Sequence, residues 1–141
     1  MSDVPPAAYR QLAEMRYRIR LFLRFSEEVA REHGLEPQQH QLLLALKGIP
    51  EDIRPTIRAI SLRICLRHNS TVELINRLVE RGLLTKRHCE EDRREVLVEL
   101  TPAGEALLRS LSMLHLEELQ SSGRALVNAL EGLLPCERLA S

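Results

Sequence analysis

Tryptophan is absent from this 141-residue chain, and tyrosine and phenylalanine number two each. The apolar composition therefore rests on Leu, Ile, Val and Ala, as expected of a helical protein. Every long apolar stretch is broken by charge, which excludes a membrane-spanning helix, and no secretory segment opens the chain. A cytoplasmic protein is the expectation. The cysteines, Cys65, Cys89 and Cys136, are odd in number and suggest no disulfide framework. There is no glycine-rich phosphate loop, no nucleophile elbow, no His-Glu-x-x-His and no pair of apolar-flanked carboxylates with an evident role. Neither an enzyme nor a cofactor is expected.

What is present is concentrated between Arg67 and Gly104, RHNSTVELINRLVERGLLTKRHCEEDRREVLVELTPAG. Ser70 and Glu73 stand at capping-box spacing, so a helix is predicted to start at Ser70, with both residues serving the cap. Val72, Ile75, Leu78 and Val79 would form its apolar stripe, and Gly82 its left-handed stop. The opposite face would carry Thr71, Glu73, Leu74, Asn76 and Arg77. Leu83 to Cys89 and Glu95 to Leu100 frame EEDRR, a polar tip between two strand-like runs. Thr101 and Pro102 read as the cap and first residue of a further helix. Upstream, Ile57, Ile60 and Ile64 mark one face of a short helix, with Arg58, Ser61 and Arg63 outside it. Pro37 to Leu46 predicts another, with core residues Leu42, Leu43 and Leu46, and Lys47 to Pro55 a connecting loop.

The length is that of one domain. Its two ends read as long amphipathic helices, one from about Pro6 to Glu32 closed by His33-Gly34, the other from Gly104 onward with a weak point or turn at Gly123. These could bury each other only with a partner's contribution. Net charge is zero, yet residues 54–94 hold ten Arg or Lys against five acids, a net +5 balanced by acidic flanks. Such a head would be drawn toward a phosphate backbone, more weakly as salt rises.

The composite of STVELINRLVERGL with DRREVLVELTPAG at this separation resembles the MarR family of bacterial transcriptional regulators, over roughly residues 35 to 110. The fold class implied is mainly α with a small β-hairpin wing: a winged helix-turn-helix with N- and C-terminal dimerisation helices. The expected organisation is a single domain over 1–141, with dimerisation helices at 6–33 and 102–141 and a DNA-binding region at 35–100. The helix near Ser70 would enter the major groove of double-stranded DNA and offer His68, Asn69, Ser70, Thr71, Leu74 and Arg77. Relatives put a small or basic residue near Glu73, which is why its carboxylate is assigned to the cap. In the wing, Arg93 and Arg94 would enter the minor groove, and Asp92 would brace one of them. Asp92 with Arg94 matches the Asp-x-Arg arrangement of the family's wing.

The resemblance further implies a homodimer on a pseudo-palindromic operator, a repressor role, and relief by a small-molecule effector held between the dimer helices and the head. Tyr9, Arg16, Tyr17, Arg20, His40 and Gln41 are available to such a crevice, and none is assigned to it. Two other readings are a redox-responsive regulator, with Cys89 beside Arg87 and His88 as the candidate thiol, and a dimeric scaffold that does not bind DNA. Cys65-x-x-His68 with His88-Cys89 could in principle converge on zinc, but the spacing is not that of recognised knuckles, so no metal site is expected.

Overall fold

Periodicity of three and four, read along the chain, becomes five helices and one hairpin in a computed structural model that describes residues 3–135. The order is α1 (Pro6–Glu32), α2 (Pro37–Lys47), α3 (Ile57–Ile64), α4 (His68–Glu80), β1 (Leu84–His88), β2 (Val96–Leu100) and α5 (Pro102–Glu131). Residues 136–141, including Cys136 and the end of the expected C-terminal dimerisation segment, lie outside the described residues. The fold is thus mainly helical with a two-stranded antiparallel hairpin. Two compact units share the chain: Val29–Ser112, and Met1–Glu28 with Met113–Ser141.

The first unit holds the core. Leu42 and Leu43 of α2, Ile60 of α3, Ile75 and Leu78 of α4, Leu84 and Val98 of the hairpin and Leu111 of α5 are all fully buried. Local signals set the element ends. Pro37 opens α2, where the Glu36 amide donates to Gln39 Oε1 at 3.0 Å. Thr56 caps α3 by accepting from the Ala59 amide at 3.1 Å, and Thr101 caps α5 by accepting from the Gly104 amide at 3.0 Å. At the end of α4, Gly82 adopts a φ of 74°, and the Leu83 and Gly82 amides donate back to the Leu78 and Val79 carbonyls, a Schellman closure.

The stretch from Lys47 to Pro55 connects α2 and α3 as expected, and at its end the Val98 amide donates to the Pro55 carbonyl at 2.9 Å while Thr56 bridges Leu97, a short third edge to the hairpin. Two expectations are corrected here. Ser61 is buried rather than off the covered face of α3; its hydroxyl donates to the Ile57 carbonyl, satisfying itself within the helix. Gly123 neither turns nor ends α5, which runs 30 residues through it. A lone glycine costs a helix only about 1 kcal/mol, less than the flanking turns supply.

The second unit pairs the amino-terminal part of α1 with the carboxy-terminal part of α5. The His115 ring lies edge-on to Phe22 and Phe25, with centroids 6.0 and 5.4 Å away, and its Nε2 is 2.8 Å from Ser26 Oγ. Gln11 lies beside Gly132, so the two stretches run antiparallel. None of the described residues in this unit is buried. Of the seventeen large apolar side chains left exposed, fourteen belong to it, among them Leu12, Tyr17, Leu23, Leu116 and Leu130.

Candidate nucleic-acid interface

The turn between α3 and α4 is tight because Cys65 takes a left-handed φ of 56° and the Leu66 amide returns to the Ser61 carbonyl at 3.1 Å. Arg67, in extended geometry, is the N-cap, and α4 begins at His68. The helix therefore starts two residues before the predicted cap. Ser70 is the third helical residue rather than the cap, and Glu73 lies too far along to reach the cap amide. The capping-box assignment of Ser70 and Glu73 is overturned.

Starting early also fixes which face is hidden. Thr71 is 0% exposed, with its hydroxyl donating to the Arg67 carbonyl at 3.0 Å, and Leu74 is 8% exposed. With Ile75 and Leu78 they form the stripe at i, i+3, i+4 and i+7 that packs inward. Thr71 and Leu74, expected among the DNA-contacting residues, are core residues and present nothing to a base. Asn69, Ser70, Glu73 and Arg77 are exposed and Asn76 half-buried, and at 100° per residue they share the outward arc. His68 is exposed at the head of the helix.

The hairpin projects beside this helix. Its register pairs Leu84 with Leu100 and His88 with Val96, leaving residues 89–95 as the tip. Asp92 organises that tip: its Oδ1 accepts from the Arg94 amide at 3.0 Å and lies 3.5 Å from Arg94 Nε. The expected brace thus acts on Arg94, whose side chain is otherwise 94% exposed. Arg93 is exposed as well, its carbonyl 2.9 Å from His88 Nδ1. A groove of about 450 Å³ separates the start of α4 from the wing, lined by Arg58, His68 and Arg94 with Asp92 and Glu95. Arg58 and Arg94 can each meet a phosphate at the rim of the groove, while Asp92 and Glu95 balance their charge along its wall.

Residues 33–95 match the model of the MarR family. That segment carries the MarR-family pattern, and the chain as described has a winged helix-turn-helix fold. Its fold is similar to that of AbsC, a MarR family transcriptional regulator from Streptomyces coelicolor, with 19% identity, 97% of this chain and 87% of that one covered, and a TM-score of 0.73. A mutant MarR from E. coli is similar at 18% identity over 96% of this chain and 100% of that one, with a TM-score of 0.69. A mutant of S. aureus MepR bound to an oligodeoxyribonucleotide is similar at 17% identity over 75% and 76% of the two chains, with a TM-score of 0.65. No curated protein sequence matches the chain.

Several residues of this winged head escaped the sequence reading. Arg58 enters the groove from α3, signalled only by its place off the apolar stripe. Lys86 of β1 donates to Asn76 Oδ1, tying the wing strand to the outward arc of α4. Arg54 clasps the wing base: Nη2 lies 2.8 Å from Glu95 Oε2, and Nη1 is 3.4 Å from Glu91 Oε2 and 3.3 Å from Cys89 Sγ. That Glu95 oxygen is buried and makes no well-directed hydrogen bond, so it depends on the guanidinium's charge. No local pattern links position 54 to positions 89–95.

The cysteines are placed apart from the expected chemistry. Cys89 is 4% exposed and covered by Arg54, a poor position for meeting an oxidant, while Cys65 is exposed at the turn. Among the described residues no three His, Cys, Asp or Glu side chains are grouped to hold a metal ion. Of the positions available to a ligand crevice, Tyr9 and Tyr17 are exposed and His40 is buried. No described helix is long and apolar enough to cross a membrane.

Proposed function

We propose that this chain is a cytoplasmic, sequence-specific DNA-binding transcriptional repressor that acts as a homodimer on a pseudo-palindromic operator and carries no enzymatic activity. The observation that carries the reading is the outward arc of α4, Asn69, Ser70, Glu73, Asn76 and Arg77, flanked by an arginine-tipped wing in the segment of net charge +5. A major groove admits an α-helix, and Arg94, exposed at the wing tip, is free to enter a neighbouring minor groove. The likeness to a MepR mutant bound to an oligodeoxyribonucleotide supports the same use of the fold.

A second copy of the chain is the natural cover for the α1 and α5 stretches. A helical pair with no buried residue and fourteen exposed large apolar side chains cannot supply a core alone. Two-fold pairing of these stretches would present two heads, the winged regions of 35–100, to successive half-sites. A small ligand relieving repression would have to prefer a head spacing that the operator does not fit.

Selection from a pool of random duplexes at two salt concentrations, with the mass of the free protein measured alongside, tests this reading. The expected outcome is a palindromic enriched site bound by a dimer, with affinity falling steeply as salt rises. Enrichment of no sequence would overturn it.

A further inference from the structure

Glu73 occupies the middle of the outward arc of α4. Counting 100° per residue, Asn69 and Asn76 lie to one side of it and Ser70 and Arg77 to the other. Its side chain is exposed and makes no ion pair or hydrogen bond among the described residues, although Arg77 stands one turn along. The early helix start has also removed the capping role that would have explained it. An unpaired carboxylate at the centre of an arc that also carries Arg77 and, through Asn76, Lys86 lowers general attraction to phosphate, so its presence there calls for a compensating contact.

We propose that Glu73 is a specificity-determining residue that accepts a hydrogen bond from the N4 amine of a cytosine in the major groove. The placement decides between the parts of a duplex. Residues at the edges of a groove-bound arc meet the phosphate walls, whereas the central residue meets the groove floor, where base edges are exposed. A carboxylate offers acceptors only. Guanine presents O6 and N7 and thymine O4, all acceptors, so both repel it; adenine offers an amine but sets N7 next to it. Cytosine alone presents an amine with no acceptor on its own major-groove edge. The inference rests on the DNA-reading function proposed above, and narrows it to a C·G pair at one position in each half-site.

The test is the duplex selection repeated with Glu73→Gln and Glu73→Ala, after circular dichroism has shown that both retain the wild-type fold. The wild type is expected to favour cytosine at one symmetric pair of positions by about tenfold or more. Glu73→Gln, which carries both a donor and an acceptor, should move that preference to adenine and leave the other positions as they were. Glu73→Ala should flatten the preference at that position and bind unrelated duplexes more tightly. A site whose cytosine preference survives both substitutions would overturn the proposal while leaving the regulator reading intact. Absence of any enriched site with the wild type would overturn both.

Discussion

Gly104 is the position where one added methyl group tests the packing of the head most directly. It lies in the first turn of α5, and a Cβ there would stand 2.2 Å from the Leu83 carbonyl oxygen and 3.1 Å from the Leu83 carbonyl carbon. Both are backbone atoms, fixed between the end of α4 and β1. Relief requires α5 to withdraw by about 1 Å, since ordinary contact between such atoms is over 3 Å. Withdrawal breaks the bond from the Thr101 amide to that same Leu83 oxygen, now 3.1 Å, and strains the Thr101 hydroxyl's bond to the Gly82 carbonyl at 2.6 Å. Overpacking of this kind costs about 1–3 kcal/mol and a lost hydrogen bond about 1 kcal/mol, against about 1 kcal/mol gained when alanine replaces a helical glycine. Gly104→Ala should therefore destabilise by about 2 kcal/mol and lower Tm by about 6 °C for a chain of this size. Gly123→Ala is the internal comparison, because its Cβ would meet nothing nearer than Leu119 Cβ at 3.8 Å. That variant should gain about 0.5–1 kcal/mol from helix propensity. Thermal and urea unfolding at equal protomer concentration would measure both. If Gly104→Ala matched or exceeded the wild type, as Gly123→Ala is expected to, the close approach of α5 to the Leu83 turn would be refuted.

Two further substitutions separate roles that the sequence pattern merges. Thr71→Val keeps the shape but removes the hydroxyl's bond to the Arg67 carbonyl; it should cost about 1 kcal/mol in urea unfolding and leave base preference in duplex selection unchanged, and an altered preference would contradict the burial of Thr71. Arg54→Ala removes an exposed pair to Glu91 and leaves the buried Glu95 oxygen without its cation, so global stability should fall by only about 1–2 kcal/mol. Amide exchange at Cys89, whose N–H donates to the Glu95 carbonyl at 2.9 Å, should nevertheless quicken and DNA affinity fall several-fold. Unchanged exchange in that variant would remove Arg54 as the clasp of the wing.

The sequence by itself determined the elements and most of their ends. Pro37, Thr56, Gly82 and Thr101 act through backbone groups within a few residues of themselves, so their effects are legible in one dimension. The same holds for the hairpin, whose register follows from two short strands around a polar tip, and for Asp92, which folds its own turn back onto Arg94. The resemblance carried by α4 and the wing was readable for that reason.

Only the tertiary structure decided which side of α4 faces out. Apolar residues at 72, 74, 75, 78 and 79 span an arc wider than one buried stripe, and either edge could be the covered one. Packing of α4 against α2, α3 and β1 chose Leu74, with Thr71 made burial-compatible by its bond to the Arg67 carbonyl. That choice withdrew two expected DNA contacts and brought Glu73 to the centre of the surface. The Arg54 clasp and the 2.2 Å approach at Gly104 are likewise contacts across 35 and 21 residues of chain. No local propensity encodes them, because they exist only once separate elements have been brought together by burial of a shared core.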